Sequence, residues 1–89
     1  MMTAAQAKEK TKERLRVLAE EFILNNVGIP LQDAIDAGEF HCSVLFMGNE
    51  QLGAEVVSQL QDQGYVAEHV CYDNTNGYAN YILIKWENV

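Results

Sequence analysis

The chain has 89 residues and a formal net charge of −7, with 48% hydrophobic and 21% charged residues. These values are typical of one small globular domain spanning residues 1–89, and they argue against wholesale disorder. No apolar run approaches the roughly 18 residues of a membrane span, and Met1–Gln6 lack the apolar stretch of a signal peptide. We therefore expect a cytoplasmic protein that has reduced thiols and does not bind membranes.

The charge is divided unevenly along the chain. Residues 1–16 contain five basic and two acidic side chains, a net charge of +3, whereas residues 17–89 contain one basic and eleven acidic, a net charge of −10. An acidic body repels nucleic acid phosphates, so we expect no direct nucleic acid binding. The basic segment is typical of a solvated, salt-bridged helix end, and it also permits electrostatic docking of the segment on an acidic body.

The first predicted element is a helix from about Ala5 to Asn25, because this stretch is rich in strong helix formers. Thr3 is a candidate N-cap. An apolar stripe at helical spacing occupies only the second half of this helix, at Leu15, Leu18 and Phe22. We therefore expect residues 1–12 to form a projecting or frayed arm.

A second, short helix is predicted from Pro30 to Ala37. Asn25, Asn26 and Gly28 should end the first helix, since Asn and Gly tolerate the left-handed backbone of a C-cap. Pro30 suits the first turn of a new helix, where no backbone donor is needed.

Three strands and one further helix complete the chain. They are a strand at Phe40–Phe46, a helix capped by Asn49 and closed by Gly64, and strands Tyr65–Tyr72 and Tyr78–Trp86 joined by a tight turn at Asn74–Gly77. Gly53 lies inside the helix, where it costs roughly 1 kcal/mol relative to Ala.

This order of elements, helix-helix-strand-helix-strand-strand, predicts an α+β fold, a two-layer sandwich with a three-stranded mixed sheet. A right-handed crossover makes the first and second strands parallel, and the hairpin makes the third antiparallel to the second. The third strand is the most apolar, which favours the order 1-3-2, although 1-2-3 remains open. The helices would cover one face of the sheet, and strand alternation then leaves Tyr81 and Leu83 on the other.

The uncovered face would keep several apolar side chains, which is typical of an interaction surface. We therefore expect a homo-oligomer or a protein partner, bound at this face or along the first helix. The residues that we predict to make the contact are Arg14, Arg16, Phe22, Tyr81 and Leu83. The alternative is that the first helix or the N-terminal arm folds over the face.

The His and Cys residues do not predict a chemical site. His41 and Cys42 are adjacent on a strand and point to opposite faces, so the set His41, Cys42, His69 and Cys71 cannot converge on one metal. His69 and Cys71 lie about 7 Å apart along a strand, which is too far for an activated nucleophile. We predict no catalytic residue, no metal and no cofactor, and we do not expect an enzyme.

Four segments, taken in their order and spacing, resemble small tailed-phage proteins of hypothetical function. The segments are Thr3–Ala7, Ala34–Phe40, the junction of Leu60 with Gly64 and Tyr65, and Ile82–Trp86. The resemblance implies a phage source, with the protein in the host cytoplasm or in the virion, and it carries over no catalytic residues.

We expect a non-enzymatic accessory protein that acts by binding, as a virion component or as a binder of a host factor. The alternative is an acidic DNA mimic, whose carboxylates imitate DNA phosphates and block a host nucleic-acid-binding enzyme. The acids are spread from Asp33 to Glu87 rather than arranged in a dense ladder, which favours a simple role in solubility.

Overall fold

The computed structural model describes residues 1–74 and 77–87. The elements are α1 (Ala4–Phe22), a π-helical segment (Ile23–Val27), α2 (Gly28–Asp36), β1 (His41–Leu45), α3 (Glu50–Asp62), β2 (Val66–Asn74) and β3 (Gly77–Lys85). The three strands form one sheet in the order β1-β3-β2. The predicted α+β class and the order 1-3-2 are confirmed.

The sheet is antiparallel rather than mixed. Both hydrogen-bonded pairs, β1 with β3 and β2 with β3, are antiparallel. β1 and β2 therefore run parallel to each other, as the crossover through α3 requires, but β3 separates them. The central position of β3 agrees with the complete burial of Ile82 and Ile84.

The register of the sheet determines which side chains face the helices. Two inner rows cross the three strands, Cys42–Ile84–Ala67 and Val44–Ile82–His69. The predicted alternation of β1 and β3 is thereby confirmed. The register also fixes the orientation of β2, with Ala67, His69 and Cys71 on the inner side.

The first two helices are continuous, so the predicted C-cap at Asn25–Gly28 is wrong. The π-helical segment links α1 to α2, and Gly28 has a right-handed backbone with φ −56°. Pro30 lies inside α2, where it lacks an N–H and its ring crowds the carbonyl four residues earlier. The wider π turn just before it relieves that crowding. Val27 is buried in the core, so this segment packs against the rest of the molecule as part of a continuous helix.

The other helix ends follow the predicted caps. Thr3 and Gln6 form a capping box, with the Thr3 hydroxyl accepting from the Gln6 N–H at 3.2 Å. Asn49 caps α3 through its side-chain oxygen. α2 and α3 each end at a glycine in the left-handed region, Gly38 (φ 76°) and Gly64 (φ 95°).

β2 and β3 form the predicted hairpin, paired continuously from Val66 with Lys85 to Asn74 with Gly77. Gly77 has a φ of 133°, which glycine adopts readily. Thr75 and Asn76 of the predicted turn lie outside the described residues.

The core lies between the inner face of the sheet and the helices. Its largest fully buried side chains are Phe46, Ile82, Ile84 and Val56. The Phe46 ring lies edge-on to Phe22 of α1, with 5.2 Å between ring centroids. α1 thus packs against the core through its C-terminal half.

Candidate interaction surfaces

One side of the sheet has no helix over it in the described part of the chain. We call it the outer face, and it comprises His41, Ser43, Leu45, Val66, Glu68, Val70, Tyr72, Ala79, Tyr81, Leu83 and Lys85. α1 packs on α3 and the π-helical segment, α2 packs on β1, and α3 packs on β2. The alternative in which the first helix or the arm folds over this face therefore does not hold.

The outer face is largely apolar. Leu45, Val66 and Tyr72 are 74%, 58% and 51% exposed, which is high for side chains of this size. Tyr81 and Leu83 are half-buried between the two flanking strands. An apolar patch of this kind in contact with water is typical of a surface that binds another molecule.

The predicted contact residues do not lie on one surface. Tyr81 and Leu83 are on the outer face, whereas Arg14 and Arg16 are exposed on α1. Phe22 is half-buried and packs against the core from the opposite side of the sheet. The structure therefore brings together Tyr81 and Leu83 only.

The N-terminal part of α1 extends beyond the packed part of the molecule. We call residues 4–14 the basic arm, and every side chain in it is exposed. Packing begins at Leu15, which is half-buried, and Ala19 is fully buried. The radius of gyration is 14.9 Å, whereas a compact domain of this length has roughly 12 Å. The arm accounts for this elongation.

A groove crosses the helical side of the molecule. It has a volume of ≈ 570 Å³, and its apolar lining is Ile23, Leu24, Val27, Leu31, Leu60 and Tyr65. We call it the helical groove. A second hollow shares Leu31 and Tyr65 with it and extends it toward Ile35 and Trp86. Sequence patterns missed this groove because they ended the first helix at the segment that forms one of its walls.

A polar network lies between β2, β3 and the start of α3. The Asn80 side-chain amide donates to the Gly48 carbonyl at 3.3 Å, which leaves its Oδ1 facing His69. His69 Nε2 lies 2.6 Å from that oxygen, so Nε2 carries a proton and donates it. Tyr78 Oη accepts a further bond from Asn80 at 3.0 Å. This network satisfies the polar atoms of the buried Asn80.

The cysteines lie apart. Cys42 is on β1 and pairs with Ile84, whereas Cys71 is on β2 and pairs with Asn80. Two strand spacings, about 9.5 Å, separate β1 from β2, which exceeds the reach of a disulfide. Burial raises the pKa of the Cys42 thiol, and Cys71 is exposed. Within the described residues, no group of three His, Cys, Asp or Glu side chains is placed to hold a metal ion.

Comparisons with protein-family models, curated proteins and solved structures found no match to this chain. The likeness to tailed-phage proteins therefore stays a prediction from four sequence segments. Among the described residues, no helix has the length and apolar character needed to cross a membrane.

Proposed function

We propose that this chain is a non-enzymatic accessory protein that acts by binding another protein through the outer face. The observation that carries the proposal is the exposure of Leu45, Val66 and Tyr72 on a sheet whose opposite face is packed. Tyr81 and Leu83 lie between them on the central strand and complete an apolar surface. Burying that surface against a partner would remove it from water.

The non-enzymatic part of the proposal is supported by the state of His69. Its Nε2 donates to Asn80, and its ring lies edge-on to Phe46 with 4.9 Å between centroids. A general base must reach the proton of a nucleophile, and this imidazole is held in packing contacts instead. A turnover that is lost in Cys71→Ala or His69→Ala, with the fold retained, would contradict this part.

The resemblance to tailed-phage proteins supports the proposal that the chain binds its partner inside an infected bacterium. The partner would then be a host factor in the cytoplasm or a component of the virion. Co-sedimentation of the chain with purified particles supports the virion, and capture of a host protein supports the cytoplasm.

The outer face is tested by comparing wild type with Leu45→Glu and Ile29→Glu as immobilised baits for bacterial lysate and for phage particles. Leu45 lies on the outer face and Ile29 on α2, and both are 74% exposed, which makes them a matched pair. We expect a partner that wild type and Ile29→Glu retain and that Leu45→Glu loses. Equal retention by all three baits, or by none, contradicts the proposal.

The second candidate is an acidic DNA mimic that inhibits a host nucleic-acid-binding enzyme. It is favoured by one observation, the exposed acids on the helical side, which are Glu20, Glu21, Asp33, Asp36, Glu50 and Asp62. The outer face, in contrast, has Glu68 as its one acidic residue among those described. A captured nuclease or polymerase that leaves at high salt, and that Leu45→Glu still retains, would favour the mimic.

A further inference from the structure

We infer that the chain self-associates by docking the basic arm of one copy in the helical groove of a second copy. The contact is reciprocal, so a two-fold dimer contains it twice. It uses a surface separate from the outer face, and therefore goes beyond the binding function proposed above without depending on it.

The basic arm has the properties of a helix that lacks its partner. Most helices in proteins owe their stability to the packing of one face against the rest of the molecule. Within residues 1–74 and 77–87 of one copy the arm has no packing partner, since its side chains through Arg14 are exposed. Its capping box at Thr3 and Gln6 nevertheless directs it to be helical from the first turn.

One side of the arm is suited to close packing. Ala4, Ala7, Thr11 and Leu15 recur at three- and four-residue spacing and so lie on one face of α1. An open furrow runs along this stripe, lined by Ala7, Thr11 and Leu15 among others. The small side chains let another helix surface approach the arm closely.

The helical groove provides a matching apolar surface. The π-helical segment contributes Ile23, Leu24 and Val27, and it leaves Leu24 81% exposed at the rim. π turns of this kind occur frequently at functional sites. With Leu31 of α2 and Leu60 of α3 on its walls, the groove has the form that binds an amphipathic helix.

Charge complementarity favours the basic arm of a second copy as the ligand of the helical groove. The arm and the two residues that follow it contain all the basic side chains of the chain except Lys85, which lies on the outer face. Glu20 lines the groove, and residues 17–89, which include every wall of the groove, have a net charge of −10. A basic helix is attracted to this rim, whereas the acidic body of the same molecule repels nucleic acid and anionic lipid.

The first experiment traps the contact by disulfide formation between two variants of the full chain, both carrying Cys71→Ser. Thr11→Cys marks the arm, and Leu24→Cys marks the groove. We expect their mixture to form a cross-linked dimer under mild oxidation at low salt, and much less at about 1 M salt, where screening shortens to about 3 Å. Ile29→Cys in place of Leu24→Cys is the control, because it is exposed but does not line the groove.

The second experiment measures dimerisation by sedimentation velocity over a concentration series. We expect Leu24→Glu, and Arg14→Glu combined with Arg16→Glu, to weaken the dimer at least tenfold, and Ile29→Glu and Leu45→Glu to change it less than twofold. Circular dichroism checks that each variant keeps its fold.

Three results would overturn the inference. They are a wild type that stays monomeric to high micromolar concentration at low salt, equal cross-linking of Leu24→Cys and Ile29→Cys, and a dimer that Leu45→Glu abolishes but Leu24→Glu does not. The last result would move self-association to the outer face. The first two results would leave unaffected a partner that wild type captures and Leu45→Glu does not. Failure of the arm contact is therefore distinguishable from failure of the proposed function.

Discussion

The imidazole ring of His69 lies directly against the backbone of Gly53. A Cβ added at position 53 would lie 2.8 Å from both Cγ and Cε1 of that ring. The ring is held on its other sides by Phe46 and by the bond to Asn80, so it has little freedom to yield. Glycine is therefore required at a helical position where it is otherwise unfavourable.

Gly53→Ala is expected to destabilise the fold. Overpacking costs about 1–3 kcal/mol, and overlap with several atoms of a confined ring places Gly53→Ala in the upper part of that range. The gain in helix propensity of about 1 kcal/mol leaves a net loss of roughly 1–2 kcal/mol. Urea unfolding followed by circular dichroism measures the difference. An unchanged or raised free energy of unfolding would show that the His69 ring moves freely.

Gly28→Ala is the matched control and is expected to stabilise the fold by about 0.5–1 kcal/mol. Gly28 is also helical, with φ −56°, and a Cβ there would have no atom of the described residues within 4 Å. Opposite signs for the two Gly→Ala changes in the same urea series would separate close packing from helix propensity. A loss of stability in Gly28→Ala would contradict the helical backbone at this position.

Asn80→Ala is expected to lower the free energy of unfolding by about 1–3 kcal/mol. The change leaves the His69 Nε2–H and the Gly48 carbonyl without the partner that each has in the native network. Gln32→Ala is the control, because the bond that its side chain donates to Asp36 is exposed and is worth about 0.2–0.5 kcal/mol. Thermal unfolding compares the stability lost in the two variants. Similar losses in Asn80→Ala and Gln32→Ala would refute the prediction.

Phe22→Ala is expected to reduce stability rather than binding alone. The Phe22 ring packs edge-on against Phe46, and truncating a well-packed aromatic side chain costs about 3 kcal/mol or more. Partial exposure of Phe22 places the expected loss near the lower end of that range. Denaturant unfolding measures this loss of stability. If Phe22→Ala kept its stability but no longer bound a partner, Phe22 would be a contact residue, as the sequence predicts.

Cys71 is expected to react with an alkylating reagent much faster than Cys42. Burial raises the pKa of Cys42 and so lowers its thiolate fraction, and it also blocks access to the sulfur. Mass spectrometry of peptides from the briefly labelled native protein distinguishes the two sites. Labelling of both at equal rates would contradict the buried position of Cys42.

The raised pKa of Cys42 also makes the free energy of unfolding depend on pH in the alkaline range. The folded state holds the thiol proton more tightly than the unfolded state does, so this group lowers stability as pH rises above its ordinary pKa of 9.0. Below that value both states keep the proton and the group has no effect. The free energies of unfolding of wild type and Cys42→Ala, measured by denaturant unfolding below and above pH 9.0, isolate the contribution of the Cys42 thiol. We expect wild type to lose more stability than Cys42→Ala as the pH rises.

The sequence by itself determined the features that depend on local backbone chemistry and on periodicity. Thr3, Asn49 and Gly64 marked helix ends, because capping requires particular side chains or a left-handed backbone at those positions. The apolar run of β3 predicted its central place, since a middle strand is shielded along both edges.

Only the tertiary structure decided the features that depend on residues brought together from distant parts of the chain. The signals at Asn25–Gly28 favoured a break, but in the folded chain this segment is helical, buries Val27 and lines the helical groove. Both faces of β2 are mixed, so pairing with β3 was needed to orient His69 against Gly53. The division of charge and the projecting arm were readable from the sequence, whereas the helical groove depended on side chains that α1, α2 and α3 bring together.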